Sequence, residues 1–120
     1  MRLTGSVPVL SCNRLESCLE FYQSALHFVI IKQRRSEQTL EWVYLASGDC
    51  FLMLEKQLED ADNQTDRTRL YFYTDDVAAL HHFLQARGYT PGELRSTDYG
   101  MREFDIVDPE GRCLSIGEKK

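Results

Sequence analysis

Residues 99–118 read "YGMREFDIVDPEGRCLSIGE". Phe104 and Ile106 alternate with Glu103 and Asp105, the period-2 pattern of a strand with one apolar face, and Arg102 falls on the apolar side of that alternation. Asp108-Pro109-Glu110-Gly111 then supplies turn chemistry, and a second β-rich run begins at Cys113. The stretch predicts a hairpin of two strands.

The same plan occurs earlier in the chain. "LEWVYLASGDCFLMLE", from Leu40 to Glu55, places a Ser-Gly-Asp turn between two β-rich runs. Setting Asp49 against Gly111 and Leu45 against Val107 gives an offset of 62, and that offset also sets Asn13 against Asp75 and Phe21 against Phe83. Each half therefore starts alike. "SVPVLSCNRLESCLEFYQSALHF" is an apolar strand followed by Leu15, Cys18, Leu19 and Tyr22 at helical spacing, with Asn13 placed to cap and Glu16 three residues on. "RLYFYTDDVAALHHFLQARGY" is a strand, an acidic pair able to cap, then Val77, Leu80, Phe83 and Leu84 on a helix that Gly88 can end. A single shift, without a gap, predicts two βαβββ modules. Module 1–57 and module 67–120 make one domain, 1–120, joined by the acidic linker 58–66. The fold class expected is α+β, with the two modules forming one curved mixed sheet whose concave face can take a ligand.

Composition narrows the function classes. A net charge of −5 argues against a nucleic-acid partner, because phosphate binding needs a concentrated basic surface. No apolar run is long enough for a membrane span, and the first residues, "MRLTGSVPVL", do not read as a secretory signal. Cys12, Cys18, Cys50 and Cys113 form no CxxC pair and read as reduced thiols, so a cytoplasmic protein is expected.

A duplicated βαβββ chain of this size resembles the vicinal oxygen chelate superfamily, which includes glyoxalase I, extradiol dioxygenases and bleomycin-resistance proteins. The resemblance is strongest to the bleomycin-resistance proteins. It is carried by "LTGSVPVLSCNRLESCLEFY" at the start and by the aromatic-Gly, Arg-Glu-Phe and Asp-Pro-x-Gly elements of "YGMREFDIVDPEGRC"; residues 29–70 match poorly. Metal-dependent relatives carry His and Glu ligands on inward strand positions. Those positions fall here on Val7, Met53, Arg69 and Ser115, none of them a ligand for a divalent metal. His81 and His82 are adjacent on a helix, so they point about 100° apart and cannot share one ion. The resemblance thus implies a binding protein with no metal and no cofactor, rather than an enzyme. Its function would be to sequester a small molecule, such as a cationic glycopeptide antibiotic of the bleomycin type, in a groove at a homodimer interface. The alternative is a metal-dependent lyase or dioxygenase of the same superfamily; a module with an unrelated partner is a third reading.

The resemblance makes Tyr99 the stacking aromatic of the signature, a position where the family commonly has tryptophan. Gly100 lets backbone approach a ligand, and Met101 departs from the pattern as an insertion or shift. Arg102 either pairs with an acid or faces the groove. Trp42, the one tryptophan, is read both as core or dimer contact and as a stacking wall. With Met53, Arg69 and Ser115, these are the candidate ligand-binding residues.

Overall fold

The computed structural model describes residues 1–57 and 67–120; the linker 58–66 lies outside the described residues. The chain divides into two compact units, Met1–Gln64 and Thr65–Lys120.

The first unit runs β1 (Val9–Cys12), α1 (Leu15–Leu26), β2 (Val29–Ser36), β3 (Thr39–Ser47) and β4 (Cys50–Lys56). Its sheet has the order β1-β4-β3-β2, with β1 parallel to β4 and the other pairs antiparallel. Leu15, Cys18, Phe21, Tyr22, Ala25 and Leu26 repeat at helical spacing and are the buried stripe of α1. They cover the sheet face formed by Leu10 and Cys12 of β1, Val43 and Leu45 of β3, and Leu52 and Leu54 of β4. Asn13 is not the cap that the sequence suggests. The N-cap position is Arg14, whose side chain does not cap the helix, and α1 ends on His27 in the left-handed region.

The second unit runs β5 (Leu70–Tyr73), α2 (Val77–Ala86), β6 (Arg95–Ser96), β7 (Met101–Val107) and β8 (Cys113–Lys119), in the order β5-β8-β7-β6. Two carboxylates hold the start of α2. Asp76 Oδ1 accepts from Ala79 N–H at 3.0 Å, and Glu118 Oε1 accepts from Val77 N–H at 2.7 Å. The chain leaves the helix at Gly88, with Tyr89 N–H bonded back to Leu84 O at 3.0 Å. Val77 and Leu84 of the helix, Phe104 and Ile106 of β7 and Leu114 and Ile116 of β8 form the buried apolar set. His81 belongs to this packing: its ring meets Phe104 edge-on at 5.1 Å and its Nε2 bonds Gly92 O at 2.8 Å.

The two units repeat one topology, with a slip in the repeat. Val9 stands opposite Met53 and Tyr71 opposite Ser115, which keeps the offset of 62 for β1 with β5 and for β4 with β8. Val43, however, stands opposite Leu54 where Phe104 stands opposite Ile116, so β3 and β7 are offset by 61. The Asp108–Arg112 turn is one residue longer than its counterpart. Gap-free alignment fails there, and Leu45 corresponds to Ile106, both buried, rather than to exposed Val107.

That longer turn is built around a buried ion pair. Arg112 and Asp108 side chains are 2% and 0% exposed, with Nη1 donating to Oδ2 at 2.9 Å. Asp108 Oδ1 also accepts from the backbone N–H of Glu110 at 2.8 Å and of Arg112 at 3.0 Å. The Asp-Pro-Glu-Gly element is therefore a structural turn. Its carboxylate is consumed within it.

Candidate functional site

Strand alternation sends every second residue of β5, β7 and β8 to the face away from α2. On β7 these residues are Met101, Glu103 and Asp105; on β8, Ser115 and Gly117; on β5, Tyr71 and Tyr73. Arg95 of β6 stands opposite Glu103. A hydrophobic alternation with two acids on its second face must find partners for those acids, and this face does so by a continuous chain of hydrogen bonds.

Glu103 is 2% exposed and takes three donors. Tyr71 Oη donates to its Oε1 at 2.8 Å, Tyr99 Oη donates to the same oxygen, and Arg95 Nη2 donates to Oε2. Arg95 also holds Asp105, with Nη1 to Oδ2 and Nη2 to Oδ1 each at 3.2 Å. Ser115 Oγ donates to Asp105 Oδ1 at 2.6 Å and accepts from Arg69 Nη2 at 2.7 Å. The chain thus runs from Arg69 through Ser115, Asp105, Arg95 and Glu103 to the two tyrosines.

Burial alone would push the Glu103 carboxyl up, but the bonds from Tyr99, Tyr71 and Arg95 outweigh it and hold the group below the ordinary carboxylate range. Asp105 behaves alike: burial raises it, and Arg95 and Ser115 bring it down further. The tyrosines show the reverse shift. Burial, then the bond to Glu103, raises Tyr71 far above its usual value, and the bond to Glu103 is the main cause of a rise at Tyr99. Near neutral pH both carboxylates are therefore charged and both phenols neutral.

An open recess of about 250 Å³ lies beside this chain, lined by Arg69, Leu70, Tyr71, Tyr99 and Ser115. Three of the sequence-derived candidates, Arg69, Tyr99 and Ser115, meet in it. Gly100, at φ +83°, turns the chain from Tyr99 into β7; Thr97 N–H bonds Met101 O at 2.8 Å, and Met101 N–H bonds Thr97 Oγ1 at 3.0 Å. Met101 is buried on the same face as Glu103 and pairs with Lys119 of β8. Arg102 points to the other face, exposed and opposite Glu118. Gly117 is needed for a different reason: a Cβ there would stand 2.2 Å from Tyr71 Oη.

Trp42 and Met53 lie in the first unit. Both are half-buried on the face away from α1, where Trp42 and Tyr44 ring centres are 6.3 Å apart and Tyr44 and Phe51 are 6.1 Å apart. In the structural repeat Trp42 and Tyr44 take the places that Glu103 and Asp105 hold in the second unit. Val9, not Val7, shares a row with Met53, as Tyr71 does with Ser115. Sequence reasoning passed over Glu103, Asp105 and Arg95. The signal for the two acids was their common parity on β7, opposite to Phe104 and Ile106.

Among the described residues, no group of three or more His, Cys, Asp or Glu side chains is placed to hold a metal ion. All four cysteines are thiols. No helix among the described residues is long and apolar enough to cross a membrane.

No protein-family profile matches this sequence, and no curated protein is significantly similar to it. Solved structures are similar over nearly the whole chain. A bleomycin-binding protein complexed with bleomycin is 20% identical with a TM-score of 0.76, over 98% of this chain and 100% of the other. TnmS3, an antibiotic-binding protein from Streptomyces sp. CB03234, is 21% identical with a TM-score of 0.76, over 100% of both chains. Lactoylglutathione lyase from Agrobacterium tumefaciens is 18% identical with a TM-score of 0.73, over 98% of this chain and 95% of the other. The fold is the one these structures share, α+β, with two four-stranded mixed sheets and two helices among the described residues.

Proposed function

We propose that this chain is a small-molecule-binding protein that sequesters its ligand unchanged and without a metal. It works as a cytoplasmic homodimer, with modules 1–57 and 67–120 making up one domain. The observation that carries this reading is the state of the two carboxylates on the β5-β8-β7-β6 sheet. A general base needs a pKa near the working pH and room to reach a proton. Glu103 is buried, saturated by three donors and held low, and Asp105 is held by Arg95 and Ser115. The surface left for a ligand is aromatic: Tyr71, Tyr73 and Tyr99 are 37%, 74% and 63% exposed. That is the chemistry of binding. Antibiotic-binding proteins share the fold, which supports the same reading and makes a bleomycin-type drug a reasonable first probe.

The test is a titration of metal-stripped full chain with metal-free bleomycin, following Trp42 fluorescence, with mass spectrometry of the recovered drug and elemental analysis of untreated protein. Saturable binding with the drug recovered intact supports sequestration. A chemically altered drug, or one divalent ion held per chain, overturns it in favour of a lyase or dioxygenase.

A further inference from the structure

The two arginines on the tyrosine side of the β5-β8-β7-β6 sheet, Arg69 just before β5 and Arg95 in β6, are in different states. Arg95 is consumed, bridging Glu103 and Asp105 with both terminal nitrogens. Arg69 is exposed at the recess, and its hydrogen-bond partner among the described residues is the neutral Ser115 Oγ. A guanidinium offers five donors in a planar fork matched to a carboxylate, and here one nitrogen is engaged by a hydroxyl. Of the two carboxylates, Glu103 is buried behind Arg95, while Asp105, 36% exposed, is held by Arg95 and Ser115 and lies within the field of Arg69. The positive charge of Arg69 stands at the opening.

The walls beside Arg69 are ring surfaces. Tyr71 and Tyr99 both send their hydroxyls to one oxygen of Glu103, which fixes the phenol tips and leaves the ring bodies to line the recess. At about 250 Å³ the recess falls below the roughly 300–1,000 Å³ of pockets that take a whole drug-sized molecule, so it suits a group of one or two rings.

Resting on the small-molecule-binding reading above, we infer that the recess selects a planar aromatic group bearing a carboxylate or another anionic oxygen. The ring lies against Tyr71 and Tyr99, and the anion takes the open donors of Arg69. The ligand is an aromatic acid, or the aromatic-acid end of a larger molecule. A cationic ligand would be repelled by Arg69, and the nearby carboxylate of Asp105 is already engaged by Arg95 and Ser115.

The test uses the full chain and three probes of one shape: 2-naphthoate, neutral 2-naphthalenemethanol and 2-naphthylmethylammonium, titrated by calorimetry at low salt. The expected order is naphthoate first, with an advantage of about ten- to one-hundred-fold over the alcohol, the range of a charge-assisted hydrogen bond, and the ammonium weakest. Arg69→Gln should lower naphthoate binding to the level of the alcohol and leave the alcohol unchanged, and Arg69→Lys should restore part of the difference. Equal binding of all three, or a preference for the ammonium, overturns the anion assignment while the binding reading stands. If naphthoate retains its advantage in Arg69→Gln, the assignment to Arg69 fails. Failure of all three probes to bind overturns the recess as a ring site, and the bleomycin titration then decides separately on sequestration.

Discussion

Replacing Glu103 by glutamine tests whether the β5-β8-β7-β6 sheet is organised by one buried charge. The amide keeps the size of the side chain and can still accept from the phenols through its oxygen. Its NH₂ group, however, turns two donors toward Arg95 Nη2, where the carboxylate had an acceptor. Removing one partner of a fully buried ion pair costs about 3–5 kcal/mol. Two features of this pair reduce that figure. The Arg95 side chain is 44% exposed, so water screens it, and Arg95 keeps both 3.2 Å bonds to Asp105. The expected loss is therefore about 2 kcal/mol near neutral pH. Urea unfolding of wild type and Glu103→Gln should show a lower midpoint at unchanged slope. The pH dependence provides the sharper check. The folded carboxyl lies below its unfolded value of about 4.3, so its stabilisation is present above that pH and is lost as pH falls through the folded value. The gap between wild type and variant should accordingly be constant from about pH 7 to pH 5 and close in stronger acid. A loss under about 0.5 kcal/mol, or a gap that does not change with acid, would refute the network as an energetic unit.

Three further outcomes follow from particular contacts. Asp108→Ala removes the carboxylate that pairs with buried Arg112 and accepts from two backbone N–H groups, and should cost about 3–5 kcal/mol in urea unfolding, enough to leave a marginal fold. Gly117→Ala places a methyl where the Tyr71 hydroxyl sits; the tyrosine must leave Glu103, and its phenol, followed by ultraviolet titration in alkali, should ionise at lower pH than in wild type. That titration has a stability counterpart: the raised Tyr71 contributes stability below about pH 10 that is lost as pH climbs toward the folded value, so wild type should lose more stability in alkali than Gly117→Ala. Asp76→Ala removes the side-chain cap of α2 and should cost about 1 kcal/mol, less than an isolated helix would lose because Glu118 still accepts from Val77 N–H.

Much of the fold was open to reading because local patterns carried it. The helical spacing of Leu15, Cys18 and Tyr22, the alternation of Phe104 with Ile106, and the two turns at Ser47-Gly48-Asp49 and Asp108–Gly111 each follow from the identity of near neighbours in the chain. Arg69, Tyr99 and Ser115, which line one recess, were likewise pointed to by the resemblance and the repeat. Their partners were not. Glu103 and Asp105 were not singled out as site residues, and nothing local announces that Arg95, eight residues before one and ten before the other, will bridge both.

The order of elements and the duplication were thus determined by the sequence alone. The tertiary structure decided which side of each strand those residues occupy. One extra residue in the Asp108–Arg112 turn shifts β7 by a single position against its counterpart β3. Side chains alternate with a period of two, so that one position exchanges the faces that a gap-free repeat assigns: it sets exposed Val107 against buried Leu45, whereas the fold buries Ile106 there. Register is settled by which apolar residues can be buried against the helix, and that is a property of the packed sheet rather than of any short stretch of chain.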